Sequence, residues 1–254
     1  MAVLHRFFKF CSVVTFIFGF SHASQAETGA PFPETAAFLP LLLLDDTVAL
    51  AKGLHRESLG ELNLPSGRIV ALDPLVMMST GTGFSTTVAP GRYQTSVYWF
   101  KDKDWGKRNA FATIRFSNSE VANWRLAITV QQDLTKLQAG EFYGYGVDAG
   151  MGAFTSPEGF KALNASMDKA NKEIPDYSNY YDDVLAKPLD QTNPSRLLYA
   201  PPTDPQMNIA MFASGFGDGS YPSYFGYGTD GKPVILATTF FVVDQPPTPS
   251  DKAQ

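Results

Sequence analysis

Between Tyr93 and Val130 the chain alternates apolar and polar residues in three consecutive runs, and this pattern restricts the fold more than any other feature of the sequence. Tyr93, Thr95, Val97 and Trp99 share one face of the first run, Ala110, Ala112, Ile114 and Phe116 one face of the second, and Trp124, Leu126, Ile128 and Val130 one face of the third. A period of two places alternate side chains on opposite faces of a strand, so each run predicts a half-buried strand. The charged tip from Lys101 to Arg108 reads as a hairpin loop, and the short links predict an antiparallel meander. A shorter strand, Arg68 to Leu72, precedes the runs and is stopped by Asp73-Pro74.

The remaining segments fit the same class. Gly140 to Asp148 reads as a strand turning at Ala149-Gly150, followed by a helix capped by Thr155 or Ser156, with Pro157 in its first turn and Glu158 placed for a capping box, running to about Lys172. A second short helix is predicted from Tyr180 to Ala186, ended by Pro188, and a short strand at Leu197 to Tyr199. Strands return at Asn208 to Ala213 and Tyr221 to Tyr227. Asp230-Gly231 then supplies a tight turn into Val234 to Val243, whose nearly unbroken apolar character predicts burial on both faces. The expected fold is α+β, mainly β: an antiparallel β-sandwich or open barrel with a two-helix insertion at about 156–187, forming one domain over 64–244. Residues 27–63 read as a leader segment with a short helix from Asp45 to Leu54 and a Leu-rich stretch, Phe38 to Leu44, folded back on the core. Residues 245–254, rich in proline, read as a flexible tail.

The first 26 residues read as a cleavable signal peptide. Arg6 and Lys9 precede an apolar run from Phe10 to Phe20, and small residues lead to a cleavage point after Ala26. An eleven-residue apolar run is short for a bilayer span, so no stable membrane anchor is expected after cleavage. The segment carries two basic side chains and no acidic one, so its removal shifts the formal charge from −5 to −7. An acidic chain lacks the clustered Lys and Arg that nucleic acid requires. Cys11, His5 and His22 depart with the leader, leaving no cysteine and a single histidine, His55. Multi-histidine metal sites, thiolate sites, a Cys nucleophile and a Ser-His-Asp triad with a nucleophile elbow are thereby excluded. Chemistry is confined to carboxylates, Tyr, Arg, Lys and Ser, or to an oxygen site for Ca²⁺; no other cofactor or metal is expected.

Four acidic residues stand in turns beside strands: Asp73, Glu141, Asp148 and Asp218. Brought together, they would form a carboxylate pair for acid–base work or a hard-cation site. Taken separately, each would accept hydrogen bonds from nearby backbone N–H groups. Arg68 is placed to pair with Asp73, Asp148 or Asp218, while Arg115 and Arg125 lie opposite the apolar faces. The aromatic set Tyr143, Tyr145, Tyr221, Tyr224, Phe225 and Tyr227, interleaved with glycine, would either form a binding surface or fill the interior, with about half expected in each role.

Three segments carry a family resemblance. The stretch from Leu59 to Leu75, LGELNLPSGRIVALDPL, resembles the opening motif of the bacterial family named domain of unknown function 4241. Gly140 to Gly152 and Ser214 to Tyr227 are similar to its other two motifs. The resemblance spans Leu59 to Val243 and implies a shared fold but no reaction. Leu72 and Ala153 stand where members often have cysteine, and Ser156 where they have an acidic residue. The expected function is that of an exported, periplasmic or secreted, non-catalytic protein-binding module. Its expected partner is a protein, such as a toxin from a neighbouring gene neutralised in the manner of an immunity protein. The alternative is a carboxylate-based hydrolase or a cation-dependent glycan-binding protein of the envelope.

Overall fold

The computed structural model describes residues 37–76, 81–102, 104, 106–192 and 196–243; the segments expected from sequence to be a signal peptide, 1–26, and a flexible tail, 245–254, lie outside the described residues. Twelve named strands occur there: β1 His55–Leu64, β2 Val70–Leu72, β3 Gly91–Asp102, β4 Gly106–Arg115, β5 Asn123–Leu126, β6 Tyr145–Val147, β7 Met151–Thr155, β8 Arg196–Tyr199, β9 Ile209–Ala213, β10 Gly219–Tyr221, β11 Ser223–Tyr227 and β12 Pro233–Thr239. They build a six-stranded sheet in the order β1-β3-β4-β12-β11-β5, a four-stranded sheet in the order β2-β7-β9-β8, and a two-stranded ribbon of β10 and β6. All strand pairings among the described residues are antiparallel. The two larger sheets face each other across a core that includes Leu62, Val97 and Ile114 from one side and Phe154, Ala210 and Phe212 from the other. The fold is thus α+β, mainly β, and of the two architectures expected it is the sandwich.

The meander is only partly realised. The hairpin of β3 and β4 forms as the alternating runs require, but β5 does not pair with β4. Instead β12 occupies that side of β4, and β5 pairs with β11 at the far edge. Six of the seven β12 residues are buried, and the strand lies where both faces of the sheet are covered, Leu236 in the core between the sheets and Ala237 beneath the leucine turn. The third run also stops short, at Leu126, leaving Val130 exposed.

Residues 55–63, read as leader from the sequence, form together with Leu64 the edge strand β1 of the large sheet, paired with β3 along its length. The leucine stretch folds back as expected. A 3₁₀ turn, Leu39–Leu43, and helix α1, Asp46–Ala51, place Leu39, Leu41 and Leu42 against Tyr98, Phe111 and Tyr224 on the outer face of the large sheet. Asp45 caps α1 by accepting a hydrogen bond from the Thr47 N–H at 2.8 Å.

On the outer face of the smaller sheet lies helix α2, Pro157–Glu173. Its Leu163, Met167 and Ala170 cover Ala153, Ile209 and Met211. Ser156 is the N-cap, accepting from the Gly159 N–H at 3.0 Å. That register places Gly159 and not Glu158 at the third helical position, so no capping box forms; Glu158 instead accepts from the Ser66 hydroxyl at 3.2 Å. The second helical segment is a π-helical turn, Tyr181–Leu185, continuing into α3, Ala186–Thr192. Pro188 lies inside α3, three residues after the π-helical turn, and does not end the helix, which runs on to Thr192.

Candidate functional site

The three motifs that carried the resemblance meet at one end of the sandwich, and hydrogen bonds fix how they meet. Asp73, at the end of β2, is 5% exposed. One of its carboxylate oxygens accepts from the N–H groups of Leu75 (2.8 Å) and Val76 (3.2 Å). The other accepts from those of Asp148 (2.9 Å) and Ala149 (2.8 Å), in the turn between β6 and β7. The next residue of that turn, Gly150, donates its N–H to Asp218 Oδ1 at 3.0 Å and accepts from the Ser214 N–H at 3.1 Å. The motif turns bearing Asp73, Asp148 and Asp218 therefore do converge, but main-chain groups and not three carboxylates face one another. A carboxylate that accepts four N–H groups has no free oxygen with which to move a proton. Among the described residues no group of three or more His, Cys, Asp or Glu side chains is arranged to hold a metal ion.

The other sequence-derived candidates are dispersed. Arg68 is exposed and acts electrostatically on Glu158. Burial would raise the Glu158 carboxyl, but hydrogen bonds from its own N–H, Ser156 and Ser66, with the Arg68 charge, hold it below the ordinary range. Glu141 is exposed and accepts from the Gln138 N–H at 2.9 Å, closing a local turn. Tyr143 donates to the Asp133 carbonyl at 3.0 Å. Tyr224 is 1% exposed and belongs to the core beneath the leucine turn, so it cannot stack on a partner. Tyr227 is half-buried, sharing a hydrogen bond with Thr86 at 3.0 Å beneath the Arg125 guanidinium. Tyr221 and Phe225 are buried, Tyr145 half-buried. None of the six aromatics is exposed. His55 begins β1 and stacks on Trp99, with the ring centroids 4.0 Å apart.

Two phenylalanines that sequence reasoning passed over are exposed at the motif end. Phe216 is 55% exposed and Phe241 38%. Phe216 stands at the tip of the Ser214–Gly219 loop, which is held from within. The Ser214 hydroxyl donates to the Gly217 carbonyl at 2.7 Å, and the Tyr221 hydroxyl lies 3.0 Å from the Ser214 carbonyl and 2.7 Å from that of Gly217. Burial pushes the Tyr221 hydroxyl upward, so it stays a neutral donor. Gly215, at φ +57°, is backed against Phe240 and Val242, which links the loop to the segment bearing Phe241. Phe241 itself has φ +57°, a conformation costly for a bulky residue, and it touches Phe142 (5.7 Å between ring centroids) and Tyr221 (5.9 Å). The Arg108 guanidinium lies 6.0 Å from the Phe216 ring, and its Nε is buried without a hydrogen-bond partner among the described residues. The sequence signal for Phe216 was present: an aromatic flanked by two glycines in a polar loop has no strand or helix in which to bury it.

Asp218 lies two residues from Phe216 in the same loop and is bonded by Gly150 of the turn that bears Asp148, so exposed aromatic and acidic side chains are carried by the same linked turns, with Arg108 beside the Phe216 ring. No described helix is long and apolar enough to cross a membrane. No curated protein and no solved structure matches the chain. A family model does match, over residues 62–238, from within β1 to within β12 and across all three convergent turns. The chain belongs to the family described as Protein of unknown function (DUF4241).

Proposed function

We propose that this protein is an exported, periplasmic, non-catalytic protein-binding module that occludes its partner, in the manner of an immunity-type inhibitor of a toxin encoded by a neighbouring gene. The observation that carries the reading is the exposure of Phe216 and Phe241 on a hydrogen-bonded, backbone-strained scaffold. Aromatic and arginine side chains dominate the energetics of protein interfaces, and rigid placement lowers the entropy lost on binding. Asp148 and Asp218, exposed on the same linked turns, favour a basic partner surface. The occupation of both Asp73 oxygens by backbone donors argues against a carboxylate mechanism at the same place.

The test is co-expression with the products of adjacent genes, followed by size-exclusion chromatography. The expected result is a stable complex with one exported or toxin-like product, disrupted by Phe216→Ser. Absence of a complex with every adjacent product would overturn the reading. Osmotic-shock fractionation tests the export part separately, with recovery in the periplasmic fraction expected.

A further inference from the structure

Two adjoining chambers lie on the outer face of the large sheet beside the leucine turn, one of about 530 Å³ and one of about 330 Å³, sharing Arg56, Tyr98, Arg115 and Asn118. The rest of their lining differs in chemistry. The larger has an apolar wall, Leu43, Leu44, Val48 and Val121. It also carries three carboxylates, Asp45, Asp46 and Glu120. The smaller has none, its remaining lining being Gln94, Ser96 and Thr113. Strand register sets the length of the smaller chamber. Arg56 of β1 stands opposite Tyr98 of β3, and Arg115 of β4 opposite Gln94 of β3. Those two β3 positions are four residues apart, about 13 Å at the rise of a strand.

Opposite charges thus stand in one site without cancelling. Arg56 contacts Asp46 at 3.4 Å where the two chambers meet, and an exposed pair of that kind is weak. Among the described residues, half-buried Arg115 and exposed Glu120 make no ion pair at all. A simple anion entering here would face three carboxylates, and a simple cation two guanidinium groups. A molecule with an ammonium at one end and a carboxylate at the other meets an opposite charge at each, and arginine grips a carboxylate through paired N–H donors. The apolar wall stands on the acidic side, where it would meet a side chain next to the ammonium. A peptide of two or three residues is about 7–10 Å long when extended, which the chambers accommodate. Both volumes lie within the range of small-molecule sites, roughly 300–1,000 Å³.

We infer that the two chambers bind a short zwitterionic peptide with an apolar first residue. Its ammonium lies beside Asp46 and Glu120, its first side chain against Leu44 and Val121, and its terminal carboxylate at Arg115. The site shares no residue with the aromatic end, and it stands or falls independently of the protein-binding reading.

Isothermal titration of the purified full chain with the dipeptide leucyl-alanine tests it. The controls are its N-acetyl form, which lacks the ammonium, and its C-terminal amide, which lacks the carboxylate. The free dipeptide is expected to bind saturably at one site, about tenfold or more tighter than either control. Arg115→Gln is expected to weaken the free dipeptide about tenfold or more, with unchanged circular dichroism, and to leave the affinity for the amide as it was. Should that variant misfold, the exposed pair Asp46→Asn and Glu120→Gln together carries the test, weakening the free dipeptide by a similar factor and leaving the acetylated form as it was. The inference is overturned by an absence of saturable dipeptide binding up to about 10 mM, by either control binding as tightly, or by folded variants that bind the dipeptide like the parent.

Discussion

Glu57 Oε2 accepts a hydrogen bond from Arg196 Nε at 2.8 Å, tying edge strand β1 of the large sheet to edge strand β8 of the small one. Its other oxygen accepts from Lys107 Nζ at 2.8 Å and from the Trp99 indole at 2.9 Å. Arg196 also donates to the Ser58 carbonyl at 2.7 Å. One carboxylate thus gathers β1, β3, β4 and β8 where the two sheets meet.

Burial alone would raise the Glu57 carboxyl, but the hydrogen bonds and charges of Lys107 and Arg196 outweigh it and hold the group below the ordinary glutamate range. The folded state therefore binds fewer protons than the unfolded chain across that range, so the contribution is complete above the unfolded value, about 4.3, and is lost as pH falls through the folded value. Glu57→Gln is expected to destabilise by about 1–3 kcal/mol at pH 7, with the difference from the parent shrinking below pH of about 4. Urea denaturation at several pH values checks both the size and the sign.

Asp73 and Asp148 separate structural from surface carboxylates. Asp73→Asn replaces one acceptor oxygen with an amide that faces two N–H donors, at a buried position with four such bonds. A loss of about 2–4 kcal/mol is expected. Asp148→Asn leaves its backbone N–H in place and its side chain exposed, so the change is expected within about 0.5 kcal/mol. Thermal unfolding of the two variants in parallel decides the matter.

Gly159 reverses a general rule. Gly to Ala inside a helix ordinarily stabilises by about 1 kcal/mol. Here an added Cβ would stand 2.2 Å from the Thr155 hydroxyl and 3.2 Å from the Asn208 carbonyl that this hydroxyl bonds. Overpacking of a buried contact costs about 1–3 kcal/mol and exceeds the propensity gain, so Gly159→Ala is expected to lower the melting temperature. A raised melting temperature would show that the helix start yields.

What could be read in the sequence was local. The alternation around Val97 and Ile114, the Ser156 cap with Pro157 behind it, and the Asp230-Gly231 turn are short-range signals, and each corresponds to an observed element. The insertion of β12 between β4 and β11 was not legible, because pairing order depends on which strand most needs two covered faces, and no window of residues contains that comparison. The same holds for β1. His55, Glu57 and Leu62 alternate with polar neighbours too weakly to announce a strand, and its partners lie 27 to 44 residues away. At the candidate site, the placement of Asp73, Asp148 and Asp218 in turns could be read from turn chemistry, but that those turns meet could not, since the bonds between them join residues 68 to 76 positions apart. That Asp73 faces backbone donors and not the other acids depends on tertiary placement, as does the exposure of Phe241.

The most direct test of the central claim is the dissociation constant of the complex with the neighbouring gene product, measured for the parent and for Phe216→Ser. Phe216 is a loop-tip side chain, so its replacement should leave stability within about 0.5 kcal/mol. Loss of an exposed aromatic anchor should cost more than about 2 kcal/mol of binding, a weakening of about thirtyfold. Equal affinity of the two forms would contradict the aromatic end as the partner-binding surface.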